Sequence, residues 1–201
     1  MENPDFITVE ISPYARDFRK EQGAVLRRVL RSNLRKISTI KKNPLRKILA
    51  HPAILGLFFL LKEPYEWRAA WDYARKEEKS VEDIDLSAYS REKLAHLTEI
   101  ISLENLMSLL DLPFEDLSEQ VEAHYGRARI LFSHPPTTRV PVPEITVREI
   151  SMAEKIRRRV LRAKGMKVVH IGGWEHLVDF PGGKSLWGRL KNLNSRRVLL
   201  Q

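Results

Sequence analysis

Val168–His176 (VVHIGGWEH) is the stretch of this chain best suited to chemistry: a β-branched run stops at Gly172-Gly173 and is followed at once by Glu175 and His176. Short apolar runs that end at a glycine pair mark buried strands whose chain turns sharply at the carboxyl end. Two further runs carry acids at the corresponding place. Phe6–Ile11 holds Glu10 near its end, and the VEDIDLS run holds Asp85 beyond Val81 and Ile84. In open α/β sheets ligands collect outside the carboxyl ends of the strands, so three such ends bring Glu10, Asp85, Glu175 and His176 toward one crevice. Carboxylates with an imidazole suit a divalent metal such as zinc or manganese, or general acid/base work without metal. For each acid taken alone, a helix cap or a surface carboxylate is the competing reading.

Other motifs carry less. His170 lies inside the strand and reads as a packed, hydrogen-bonded residue, while His51, His96, His124 and His134 have no partner at ligand spacing. Gly182-Gly183-Lys184-Ser185 mimics the end of a phosphate loop, but the position that needs the first glycine is Val178. No G-x-S-x-G elbow occurs, so an α/β-hydrolase nucleophile is lacking.

The elements that must position these residues alternate between strand and helix patterns. Ser12-Pro13 ends the first strand and opens a helix running to about Asn43, with Phe18, Val25, Val29 and Ile37 on or near one side and Arg27, Arg28, Arg31, Arg35 and Lys36 on polar faces. That basic run is either a polyanion-binding face or a solvated helix surface. Leu45–Leu61 reads as a second, mostly buried apolar helix with a kink or restart at Pro52, able also to serve as a dimer contact. Tyr65–Glu78 reads as a third, with Trp67, Ala70, Trp71 and Ala74 inward. Ser90 is placed to cap a helix to Leu112, and another covers Phe114–Ala128. Residues 133–143, with four prolines, read as a stiff connector. Thr146-Val147-Arg148-Glu149 has the capping-box form and opens a helix with Ala153, Ile156, Val160 and Ala163 on one face and Lys155, Arg157, Arg158 and Arg162 outside. A short helix around Leu186–Leu193 and a last strand over Arg197–Leu200 close the chain. The expectation is one α/β domain over 1–201: a mixed β-sheet with several helices, a helical insertion at 13–78 and the Pro-rich connector.

Composition agrees with a packed domain. The sequence has 201 residues, 43% of them hydrophobic, and a net charge of +9, which favours acidic ligands or surfaces. With no cysteine, disulfides, thiolate zinc sites and cysteine nucleophiles are excluded. MENPDF does not read as a signal peptide, and the most apolar stretch, Ala53–Leu61, is about half the ~20 residues a bilayer needs, so a cytoplasmic protein without a membrane span is expected.

Taken in order, the motifs resemble the TraB/PrgY family, within the wider superfamily of Tiki proteases, erythromycin esterases and ChaN haem-uptake proteins. Pro4–Glu10 (PDFITVE) is similar to the family's strand ending in Glu. Glu66–Ala70 (EWRAA) with Ile84-Asp85-Leu86 is similar to its E-x-x-A-A helix and I-D strand. Arg148 through Met152-Ala153 is similar to its R…M-A helix start, and Gly173–His176 to its second G-x-x-H. The resemblance implies an α/β fold of two related halves around a cleft. It makes Glu10, Glu66 and His176 polar cleft residues, Glu10 and His176 the metal ligands, and Arg148 the group that orients a carboxylate or binds an anion. The family carries an earlier G-x-x-H ahead of the glutamate strand, and its counterpart is expected upstream of Met1 or lost. The implied function is a metal-dependent hydrolase, peptidase- or esterase-like, with an incomplete or vestigial site and an unidentified substrate or peptide. The competing readings are a non-catalytic basic module binding nucleic acid or another polyanion through 27–42 and 155–162, and a homo-oligomeric interaction or regulatory protein.

Overall fold

Phe6-Ile7-Thr8-Val9 is a short run that the chain covers on both faces, which is the pattern of a central strand in a parallel sheet. The computed structural model describes residues 3–113, 116–137, 142–162 and 165–199. In chain order the elements are β1 (Phe6–Val9), α1 (Pro13–Ile40), α2 (Leu45–Leu49), α3 (Pro52–Leu60), α4 (Tyr65–Lys76), β2 (Ser80–Asp83), α5 (Ser87–Ala95), α6 (Leu97–Ile100), α7 (Leu103–Leu110), α8 (Leu117–Ser133), α9 (Pro143–Arg162), β3 (Val168–Ile171) and α10 (Leu186–Leu190). Short 3-10 turns lie at Trp174–Leu177, Pro181–Gly183 and Lys191–Leu193. Among the described residues, no helix is long and apolar enough to cross a membrane.

The chain divides into two compact units. One comprises the described residues of Met1–Ser12, Glu66–Leu86 and Val121–Gln201, and the other those of Pro13–Tyr65 and Ser87–Gln120. Of the stretch 13–78, expected as a helical insertion, Pro13–Tyr65 belongs to the second unit, and the rest, with nearly all of α4, belongs to the unit that holds the sheet.

The first unit is built on a three-stranded parallel sheet in the order β2-β1-β3, which places the protein in the mixed α/β class. Phe6 pairs with Ser80 and Val168, and Val9 with Asp83 and Ile171. Hydrogen bonding continues past the strand ends: Glu10 N donates to Ile171 O at 2.9 Å, Ile84 N to Val9 O at 3.1 Å and Asp85 N to Ile11 O at 3.1 Å. These bonds hold Glu10, Asp85 and the Gly172-Gly173 turn at one edge of the sheet. Among the described residues the sheet is wholly parallel rather than mixed; Arg197–Leu199 forms no strand, and Leu200 lies outside the described residues. Arg197 instead donates to the Leu177 and Phe132 carbonyls.

Helix α9 covers the sheet with a stripe of Met152, Ala153 and Ile156, which packs with Ile84, Leu186 and Leu190. Each large side chain buried here contributes about 1.5–3 kcal/mol relative to exposure. The helix starts one turn before the expected cap. Pro143 occupies its first turn, and the Thr146 hydroxyl donates back to Val142 O at 3.1 Å instead of capping. The expected connector shortens accordingly, since α8 runs to Ser133, and residues 138–141 lie outside the described residues. In α4, Ala70 and Ala74 are buried as expected, whereas Trp71 is exposed. Trp67 Nε1 donates to Asp83 Oδ1 at 3.0 Å.

The second unit is helical. Its α1 buries Ala15, Gly23, Leu26, Leu30, Leu34 and Ile37, and leaves Val25 and Val29 exposed. Of the side expected from spacing, Ile37 is buried and Phe18 half-buried, while Val25 and Val29 face solvent and Leu26, Leu30 and Leu34 take the inward positions. The helix expected from Ser90 is three pieces, α5 to α7, with Ser102 capping the last through Asn105 N.

Candidate functional site

Position in the sheet decides which side chains meet. Glu10 is the first residue past β1, Asp85 the second past β2, and Gly172-Gly173 follow β3 and lead into the 3-10 turn that carries His176. On α9, Arg148 and Glu149 sit one turn ahead of Met152, so the stripe that fills the core also delivers these two side chains to the sheet edge.

Five of these groups form one buried network. His176 Nε2 lies 2.9 Å from Glu10 Oε1, and its Nδ1 lies 3.0 Å from Glu149 Oε1. Arg148 donates from Nε to Asp85 Oδ1 at 2.9 Å and from its terminal NH2 to Asp85 Oδ2 at 2.8 Å and Glu10 Oε1 at 2.9 Å. The second oxygen of Glu10 accepts from Gly173 N at 2.7 Å. Glu149 is completely buried, and His176, Asp85 and Glu10 are nearly so. The side-on fork of Arg148 is the strong geometry for carboxylate recognition, and Lys cannot reproduce it.

The protonation states follow from this wiring. Burial disfavours charge on His176, but hydrogen bonds to Glu10 and Glu149 and the charges of both outweigh it and raise the imidazole to about 9. Burial likewise opposes the Glu10 anion, yet the His176 hydrogen bond and charge, the Gly173 N–H and the Arg148 charge bring it down to about 2. At neutral pH His176 is therefore an imidazolium that donates from both nitrogens, and Glu10 is a fixed carboxylate. Arg148 is desolvated, but its bonds to Asp85 and the charge of Glu10 hold it firmly protonated.

Next to the network, Thr8 Oγ1 lies 3.0 Å from His170 Nδ1, consistent with the packed, hydrogen-bonded reading of this histidine. Burial pushes His170 down to about 4, so it is neutral. Its Nε2 is buried without a hydrogen-bond partner among the described residues. A Cβ at position 172 would lie 2.7 Å from that nitrogen and 2.8 Å from Glu10 Oε2, so any larger residue there would push the two side chains aside.

Of the residues singled out from the sequence, Glu10, Arg148, His176 and Asp85 come together. Glu66 does not join them: it is exposed in the first turn of α4, where an acid suits the positive helix end, and it is not a hydrogen-bond partner of Glu10, Arg148 or His176. Glu175 is exposed as well. Sequence reasoning missed the site role of Glu149, taken as the capping-box acid. It lies on the same helical face as Met152, Ala153 and Ile156, and an acid on a buried stripe is the signal that marks it.

No protein-family model, curated protein or solved structure matches the chain. The functional reading rests on the chemistry of the cluster. A zinc or manganese ion at Glu10 and His176 would need an imidazole lone pair, and both ring nitrogens are bound to carboxylates. Among the described residues no group of three or more His, Asp or Glu is arranged to hold a metal. As arranged, these donors do not fit the ion. They fit a proton held between two acids, where His176 can serve as a general acid and Glu10, with its lowered pKa, is a weak base.

Proposed function

We propose that the chain is a TraB/Tiki-like protein of the hydrolase class, peptidase- or esterase-like, whose metal site is vestigial and whose acid–histidine–acid cluster holds a proton in place of an ion. The two related halves around a cleft belong to the same proposal. The observation that carries it is that both ring nitrogens of His176 are taken up by carboxyl groups, Nε2 by Glu10 and Nδ1 by Glu149. Where a divalent ion would neutralise carboxylates, the imidazolium and Arg148 supply the two positive charges instead. The cluster then keeps the sheet edge ordered without lowering the pKa of a bound water, the step that metal-assisted hydrolysis requires.

Metal analysis and calorimetric titration with zinc and manganese near neutral pH test this reading. Sub-stoichiometric metal is expected in the wild type and in His176→Ala alike, with no metal-stimulated ester or peptide hydrolysis. One equivalent of metal in the wild type that disappears in His176→Ala would establish a working metal centre and remove the proposal.

A further inference from the structure

Helix α3 (PAILGLFFL) has no polar side chain, and it buries only one side. Ile54 and Leu57 face the interior, while Gly56, Phe59 and Leu60, at positions i, i+3 and i+4, form an exposed face on which Phe59 is 67% and Leu60 38% accessible. A helix apolar all round is ordinarily buried or inside a membrane. At nine residues α3 is far too short to span one.

Its surroundings are cationic. Arg19, Gly23, Arg27 and Arg31 recur every fourth residue along one ridge of α1, and this ridge clasps the carboxyl end of α3. Arg19 Nε donates to Leu60 O at 3.0 Å, Arg27 donates to Leu61 O, and the Arg31 guanidinium lies 5.7 Å from the Phe58 ring centroid. Gly23 makes the clasp possible, since a Cβ there would lie 2.7 Å from Leu61 O. Arg28, Arg31, Arg35 and Lys62 are exposed. Over residues 13–65 thirteen Lys and Arg stand against three Asp and Glu.

We propose that the exposed face of α3 and the arginine ridge of α1 dock on an anionic lipid bilayer, with Phe59 and Leu60 entering the interface and the cations meeting the headgroups. Interfacial binding scales with buried apolar area plus attraction to acidic lipids, and this surface offers both side by side. A second copy fits less well, because self-pairing would bring two cationic rims together. Nucleic acid offers phosphates but no apolar layer for Leu60 and Gly56.

Flotation of the full chain with phosphatidylcholine vesicles, with and without about one third phosphatidylglycerol, tests the proposal. Binding is expected to the acidic vesicles only, to weaken with salt, and to fall roughly ten-fold or more in Phe59→Glu/Leu60→Glu, whose exposed positions leave folding intact by circular dichroism. A Phe59→Trp variant should blue-shift its emission on acidic vesicles. The proposal is overturned by equal binding to neutral vesicles, by an unchanged double variant, by unshifted emission of the Phe59→Trp variant, or by no vesicle binding. It also fails if duplex DNA binds with the same sensitivity to the double variant, or if that variant dissolves a dimer seen by light scattering without changing vesicle binding.

Discussion

Stability should fall as pH rises from about 6.5 toward 9, and His176 should be the cause. The folded imidazole titrates near 9 against 6.5 for the free group. Below 6.5 both states carry the proton and the full contribution of the ion pair is present. Between 6.5 and 9 only the folded state binds the proton, so each pH unit removes up to about 1.4 kcal/mol, and the contribution is gone once pH passes the folded value. The gap corresponds to about 3 kcal/mol, a large part of the 5–15 kcal/mol that holds a typical domain together. Glu10 gives the mirror-image limb: its contribution is present above 4.5 and is lost as pH falls through about 2. The two limbs are one interaction seen from each partner and are not added. Urea unfolding near pH 6, 7.5 and 9, on the wild type and on His176→Gln, measures the alkaline limb. The difference between them should be largest near pH 6 and shrink by roughly 3 kcal/mol toward pH 9. A difference that stays constant over this range would show that His176 is not held as an imidazolium, and the wiring deduced from its two carboxylates would be wrong.

Two substitutions probe the geometry around it. Arg148→Lys keeps the charge but loses the fork on Asp85 and the third bond to Glu10. It should cost about 1–3 kcal/mol and move acid unfolding to higher pH, as read by fluorescence during acid titration. Gly172→Ala forces a methyl group against His170 Nε2 and Glu10 Oε2 and should lose about 1–3 kcal/mol in urea. Gly56→Ala, which meets nothing within 4 Å in a helix, should instead gain up to about 1 kcal/mol in the same assay.

The parts of this architecture that depend on local chemistry could be read from the chain. The Gly172-Gly173 pair marked the end of β3, Ser12-Pro13 marked the start of α1, and the run Phe6–Ile11 marked the first strand, though not its central place in the sheet. Glu10, Asp85, Arg148 and His176 were visible because each sits at a strand end or a helix start. Long-range packing was less accessible. Whether Val25 and Val29 or Leu26 and Leu30 face inward depends on which neighbour covers α1, since both pairs have helical spacing. Glu149 fits the capping box in sequence, but it also lies on the face of Met152, Ala153 and Ile156, and that face is turned to His176. Glu66 illustrates the converse, because an acid in the first turn of a helix is explained by that position alone. The clasp of α3 by Arg19 and Arg27 depends on a close approach at Gly23 that periodicity does not register.

On this wiring His176 is a doubly protonated imidazolium shared by Glu10 and Glu149. Nitrogen-15 NMR of the histidine side chains near neutral pH tests it directly, with His176→Gln supplying the assignment. The wiring predicts that both His176 ring nitrogens carry protons and stay protonated until pH approaches about 9. A neutral His176 ring at pH 7, with one nitrogen showing the shift of an unprotonated or metal-bound atom, would contradict it.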